Sequence, residues 1–213
     1  MSEHSFSLSR PGTSKFWLLI PLAGCLVFIL LYIIAAALYP GGSHADVHSK
    51  GFSWQHNYWC NLLDEKAMNG EYNDGRYVAI AAMAILAITL LSFWIISANL
   101  LQFSKRARTV ILFSGLLSMA VLPFLSTSLH DTIINSSGFF GLVAMTGTYI
   151  GIYRNKWYRL FMIGILNLLL IGINNYIYYS ENLFYLLPVV QKITFLSCLV
   201  WISLVDIKFY RRL

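Results

Sequence analysis

Hydrophobic and polar positions along this chain do not alternate; they separate into blocks. Six apolar runs, Phe16 to Tyr39, Tyr77 to Leu101, Val110 to Leu129, Ile133 to Tyr153, Leu160 to Tyr178 and Tyr185 to Leu204, each reach the length of roughly 20 residues that a helix needs to cross a bilayer. An open sheet would leave its backbone polar groups unpaired in lipid, and no run shows the two-residue period of a barrel strand. The pattern therefore predicts an all-α fold, a bundle of six transmembrane helices. Residues 1–15 form a tail, 16–204 the membrane domain, and 205–213 a second, basic tail. Of the segments between runs, only that from Pro40 to Arg76 is long.

Lys and Arg positions orient the bundle. Arg10, Lys15, Lys105, Arg106, Arg108, Arg154, Lys156, Arg159, Lys208, Arg211 and Arg212 fall in one alternate set of connecting segments, and only Lys50, Lys66 and Arg76 in the other. Basic residues stay on the cytoplasmic side, so both termini are expected in the cytoplasm and residues 40–76 outside it. Trp17, Trp94, Trp157, Tyr158, Tyr179, Tyr185 and Tyr210 lie near predicted span ends, where aromatic belts form. The first run is longer than the apolar core of a cleavable signal, so it is read as a retained helix despite Ala35, Ala36 and Ala37.

Composition agrees: 58% of the 213 residues are hydrophobic and 11% charged, which excludes an ordinary water-soluble domain. The net charge of +6 is accounted for by topology, so nucleic acid is not an expected partner. Expected partners are membrane lipids, with a second copy or another membrane protein as further options. Cys25 and Cys198 lie within apolar runs and Cys60 alone in a loop, so no disulfide framework forms there.

The long loop carries a pattern of its own. Pro40, Gly41 and Gly42 stop the first helix, and Asn69, Gly70, Asn73, Asp74 and Gly75 supply a turn before the second. Between them, Ser53 to Ala67 predicts an ordered surface helix, with Ser53 as cap and Trp54, Tyr58 and Leu62 as one apolar stripe. Tyr39-Pro40-Gly41-Gly42, Gly51-Phe52-Ser53, Asn57 with Cys60-Asn61-Leu62, then Asn69-Gly70 and Asn73 resemble the loop signature of the family called domain of unknown function 998. A more distant likeness is to the Frag1/DRAM/Sfk1-type proteins. The resemblance implies a six-helix protein of a bacterial inner membrane, but no settled activity. Relatives carry Ser and Asp where this chain has Cys60 and Asn61, a departure that removes a carboxylate.

Ionisable and amide groups inside the spans are the candidate chemistry, because polar groups in hydrocarbon need partners. Lys192, seven residues into the last run, either snorkels to the interface or pairs with Asp131 or Asp64. Gln191, Asn174, Asn175, His130, Asp131 and Asn135 share its half of the membrane, and with Asn57 and Asp64 of the loop they form the predicted outward-facing pocket. Interhelical hydrogen bonding explains Asn167, Asn174 and Asn175 equally well. His44, His48, His56, Cys60 and Asp64 recur at four-residue spacing, yet neither HExxH nor a pair of CxxC motifs is present, so no metal or other cofactor is expected. Ser43, Ser53 and Cys60 lack any motif that marks a nucleophile. Gly138, Gly141, Gly147 and Gly151 read as close helix packing.

Three functions are compatible with this reading: a non-enzymatic protein binding a lipid headgroup or small polar ligand, a lipid-modifying hydrolase using His130 and Asp131, and a small transporter. The absence of an inverted repeat weighs against transport.

Overall fold

A computed structural model describes residues 15–120 and 130–212, without the side chains of His130, Asp131, Ile134 and Glu181. The N-terminal tail and the second half of the third predicted span lie outside the described residues. Among those described there are six α-helices and no strand: α1 (Ile20–Ala37), α2 (Arg76–Leu100), α3 (Lys105–Ala120), α4 (His130–Arg154), α5 (Tyr158–Tyr178) and α6 (Leu187–Arg212). Four helical stretches are long and apolar enough to cross a membrane, Lys15–Ala37, Arg76–Leu100, Tyr158–Tyr178 and Asn182–Arg212. The chain is therefore a multi-pass membrane protein. α3 is described over 16 residues, and α4 spans 25 without the side chains of three of them.

Helices adjacent in sequence pack together: α1 on α2, α3 on α4, α5 on α6. In α1, Cys25, Phe28, Tyr32, Ala35 and Ala36 are buried at helical spacing, while Leu26, Leu30 and Ile33 point outward. An apolar exterior suits contact with acyl chains, so burial alone does not hold such helices together; small residues and polar contacts do. A Cβ on Gly24 of α1 would lie 1.9 Å from Thr89 Oγ1 of α2. Gly147 of α4 meets Ile111 of α3, and Gly164 of α5 meets Tyr149 of α4. Ser118 and Ser137 tie α3 to α4 by hydrogen bonds of 2.8 and 2.9 Å to each other's carbonyls. Ser197 Oγ donates to Asn167 Oδ1 at 2.6 Å and Trp201 Nε1 to the Leu160 carbonyl at 2.8 Å, joining α6 to α5.

Two boundaries differ from the sequence reading. The segment expected as a tail, 205–213, continues α6 through Arg212, because nothing after Leu204 breaks a helix and Arg211 and Arg212 favour its C-terminal dipole. The Ser53 to Ala67 helix is replaced by a single turn on Ser53 and a 3₁₀ segment, Trp59–Leu63. Its Asn side chains explain why. Asn57 Oδ1 accepts the Ser53 amide and Asn61 Oδ1 the Tyr58 amide, both at 2.8 Å, local bonds that compete with a helical ladder. The expected stripe dissolves with the helix: Trp54 is 50% exposed, while Trp59 is buried against Phe28, Tyr32 and Phe195 at centroid distances of 5.9, 5.1 and 5.1 Å.

The loop is nevertheless ordered and packed on the bundle. Gly42 N donates to Ser49 O at 2.8 Å, Gly51 N to Pro40 O at 3.1 Å, and Ala67 N to Glu71 O at 2.8 Å, forming two small ties. Gly42 and Gly70 have φ of +82° and +87°, conformations that favour glycine. Tyr39 OH accepts the Met68 amide at 3.0 Å, and Asn73 Nδ2 donates to the carbonyls of Leu62 and Asp64, each at 3.0 Å.

Candidate functional site

Beneath this loop the predicted site residues divide into two groups. Asn135 of α4, Asn174 and Asn175 of α5 and Gln191 of α6 line one cavity of ≈ 280 Å³, closed by Tyr58 and Cys60 of the loop and by Tyr178, Tyr179, Phe184 and Leu187. Three helices bring the amides together because each presents them within about 8 Å of its end on the loop side. Gln191 Oε1 accepts the Trp59 amide at 3.3 Å, so the loop positions that amide. Asn175 Nδ2 donates to the Ile171 carbonyl at 2.9 Å, leaving its oxygen as an acceptor. Asn174 Oδ1 is buried and has no hydrogen-bond partner among the described residues, although buried polar atoms are normally satisfied. The aromatic wall is ordered by edge contacts, Tyr58 with Phe184 at 6.1 Å and Tyr178 with Tyr179 at 5.1 Å. Burial pushes the Cys60 thiol above its ordinary value, with the Asp64 charge adding to it, so the pocket side of Cys60 is a neutral thiol.

Lys192 and Asn57 form the second group, a clamp rather than a pocket lining. Lys192 is buried; its Nζ donates to the carbonyl of Asn57 in the loop and, at 2.8 Å, to that of Pro188. The same ammonium lies 5.6 Å from the Phe52 ring centroid. Lys192 does not snorkel outward; the loop's backbone comes down to it. Asn57 is fully buried, and its Nδ2 donates to Gly42 O at 3.0 Å. Asp64 is placed by Asn61 Nδ2, 3.4 Å from its Oδ2. His130 and Asp131 begin α4, with side chains outside the described residues.

Cys60 lines the cavity, whereas His44 and His56 line a neighbouring one of ≈ 300 Å³ across Tyr58 and Phe184. Partial burial lowers the His44 pKa. Among the described residues no three His, Cys, Asp or Glu side chains converge as metal ligands. Four-residue spacing stacks side chains only on a helix, and this stretch is not one. Ser53 Oγ lies 3.2 Å from His56 Nδ1, but it also accepts the His56 amide, so the pair closes a turn. Gly141, Gly147 and Gly151 of α4 do pack closely, against Ser118, Ile111 and Leu101, while Gly138 faces open space.

The sequence reading passed over one residue. Asp206 is fully buried in α6 against α1, its carboxylate facing the Leu22 amide and Cys25, with no hydrogen bond of standard geometry among the described residues. The available signal was register: Leu199, Ile202, Val205, Asp206 and Phe209 share one buried face. No protein-family model, curated protein or solved structure matches this chain.

Proposed function

We propose that this protein is a six-span bundle of a bacterial inner membrane, with both termini cytoplasmic, that binds a lipid headgroup or small polar ligand in the pocket under its outer loop. The supporting observation is the convergence of Asn135, Asn174, Asn175 and Gln191 on one ≈ 280 Å³ cavity, where Asn174 Oδ1 has no partner among the described residues. Side-chain amides both donate and accept, and the remaining wall is largely aromatic. That combination suits a neutral hydroxyl- or amide-bearing group with an apolar attachment. The volume lies at the small end for a ligand site, which fits a headgroup better than a whole lipid. Hydrolysis through His130 and Asp131 and transport are carried by no observation among the described residues.

Native mass spectrometry of protein extracted in mild detergent tests the reading. A co-purifying lipid or polar molecule is expected on the wild type and lost from Asn174→Leu, with its melting temperature unchanged within a few degrees. The same adduct on both proteins, or none on either, refutes it. The orientation is tested separately: in a Cys60→Ser background, an impermeant maleimide applied to intact cells labels a cysteine at Asn69 and not one at Ser2.

A further inference from the structure

At the opposite end of α5 and α6 from the amide pocket lies an open groove of ≈ 590 Å³. Lys156 and Arg159 flank it from the α4–α5 connection and the first turn of α5; Lys208 and Arg211 flank it from the last turns of α6. All four are exposed, and among the described residues lining the groove none is acidic. Lys208 and Arg211, three residues apart, share one face of α6. Trp157 sits between the two pairs. It is fixed by Phe209 at 5.4 Å between ring centroids, and Lys208 Nζ lies 5.7 Å from its centroid. Leu204 and Ile207 continue the groove along the apolar side of α6.

Four like charges around one depression repel each other unless an anion joins them. Lys156 has φ +61°, a left-handed conformation that glycine or asparagine adopts far more readily, yet the chain places a cation there. The groove also contains the first turn of α5, the helix end whose dipole favours negative charge.

We propose that this groove binds the phosphodiester headgroup of an anionic phospholipid, with Lys156, Arg159, Lys208 and Arg211 around the phosphate and an acyl chain along Leu204 and Ile207. A lipid is favoured over free phosphate because the groove is polar at its rim, apolar at its side, and situated where helices end and headgroups begin. This site is distinct from the amide pocket in position and in charge.

The test counts lipid bound to the full-length protein in neutral detergent, by native mass spectrometry, during titration with phosphatidylglycerol or phosphatidylcholine. Each surface cation contributes about fivefold to binding of an anionic lipid, so Lys156→Gly with Arg159→Gln should lower phosphatidylglycerol affinity about 25-fold and leave phosphatidylcholine unchanged. Glycine suits the backbone at 156, so the double variant should melt no lower than the wild type. Should it fail to fold, Lys208→Gln with Arg211→Gln makes the same prediction from the other wall. Lys105→Gln with Arg106→Gln removes two exposed cations outside the groove and should leave the preference intact. Equal binding of the two lipids by the wild type, or an equal loss in that control pair, overturns the proposal. So does sn-glycerol 3-phosphate displacing the lipid at matched concentration, since the site would then take a free phosphate ester.

Discussion

Removing the side chain of Asn57 should open the loop while leaving the helices packed. That side chain is fully buried and makes two hydrogen bonds to backbone, accepting from Ser53 N at 2.8 Å and donating to Gly42 O at 3.0 Å. Its own carbonyl receives the Lys192 ammonium. Asn57→Ala leaves the Ser53 amide and the Gly42 carbonyl without their partner, at about 1–3 kcal/mol each. Closure of the loop should therefore weaken by about 2–6 kcal/mol. With a factor of ten per 1.4 kcal/mol, amide hydrogen exchange should accelerate by roughly 30-fold to 20,000-fold at Gly42, Gly51 and Asn57, whose amides are bonded within the loop. Amides in the middle of α2 and α5 should change little, because their partners are within the helices.

Asp46→Ala is the comparison. It removes a hydrogen bond of similar length, His48 N to Asp46 Oδ1 at 2.9 Å, but an exposed one that water replaces. Its effect should stay within about 0.5 kcal/mol. Lys192→Met removes a different bond to the same segment, the one the Asn57 backbone carbonyl accepts; a loop already opened by Asn57→Ala has less of it to lose, so the two effects should sum to more than the double variant shows. Exchange accelerated less than threefold in Asn57→Ala, or equally by Asp46→Ala, refutes the argument that this residue holds the loop.

Further outcomes follow from close packing and buried polarity. Gly24→Ala should destabilise by about 2–3 kcal/mol in a thermal melt, and Thr89→Ala should restore most of it, since Thr89 Oγ1 occupies the place of the new methyl; Gly172→Ala, with open space around it, should be neutral or slightly stabilising. Ser197→Ala strips Asn167 Oδ1 of its donor inside the α5–α6 interface and should cost about 1–3 kcal/mol, a loss that Asn167→Leu in the same chain reduces. Asp206→Val, closer to Asp in size than Leu is, removes a buried carboxyl that has no standard hydrogen bond among the described residues, so the melting temperature should rise; a fall refutes the argument that the carboxyl is unpaired there.

The helices were legible where apolar runs are long and uninterrupted. α1, α2 and α5 begin and end within a few residues of the runs expected for them, because length and apolarity set both the span and the helix. α6 runs on to Arg212, past the apolar run that ends at Leu204, for a physical reason. Asp206 and Lys208 lower the local hydropathy, whereas helical geometry is indifferent to it, so the helix continues past the apolar run. In the loop the difference runs the other way. The four-residue spacing of Trp54, Tyr58 and Leu62 suggests a helix, but Asn57 and Asn61 carry side chains that satisfy nearby amides and so compete with one. Leu62 is buried as expected, but the aromatic that anchors the loop is Trp59, one residue after the stripe's Tyr58.

For the candidate site, depth was legible and direction was not. Position within the predicted spans puts Asn135, Asn174, Asn175 and Gln191 in the same half of the membrane, and the structure gathers those four around one cavity. The direction in which each side chain leaves its helix turns by about 100° per residue and matters only relative to a neighbour whose position the sequence does not state. Gln191 and Lys192 illustrate this: adjacent in the chain and equal in depth, one lines the pocket and the other reaches the loop backbone at Asn57. Asp206 and Ile207 repeat it near the far end of α6, where the carboxylate turns into the α1 interface and the apolar neighbour lines the basic groove. A polar residue in a span thus announces its depth by composition, but whether it serves a pocket, a clamp or a helix interface is decided by which helix lies across from it.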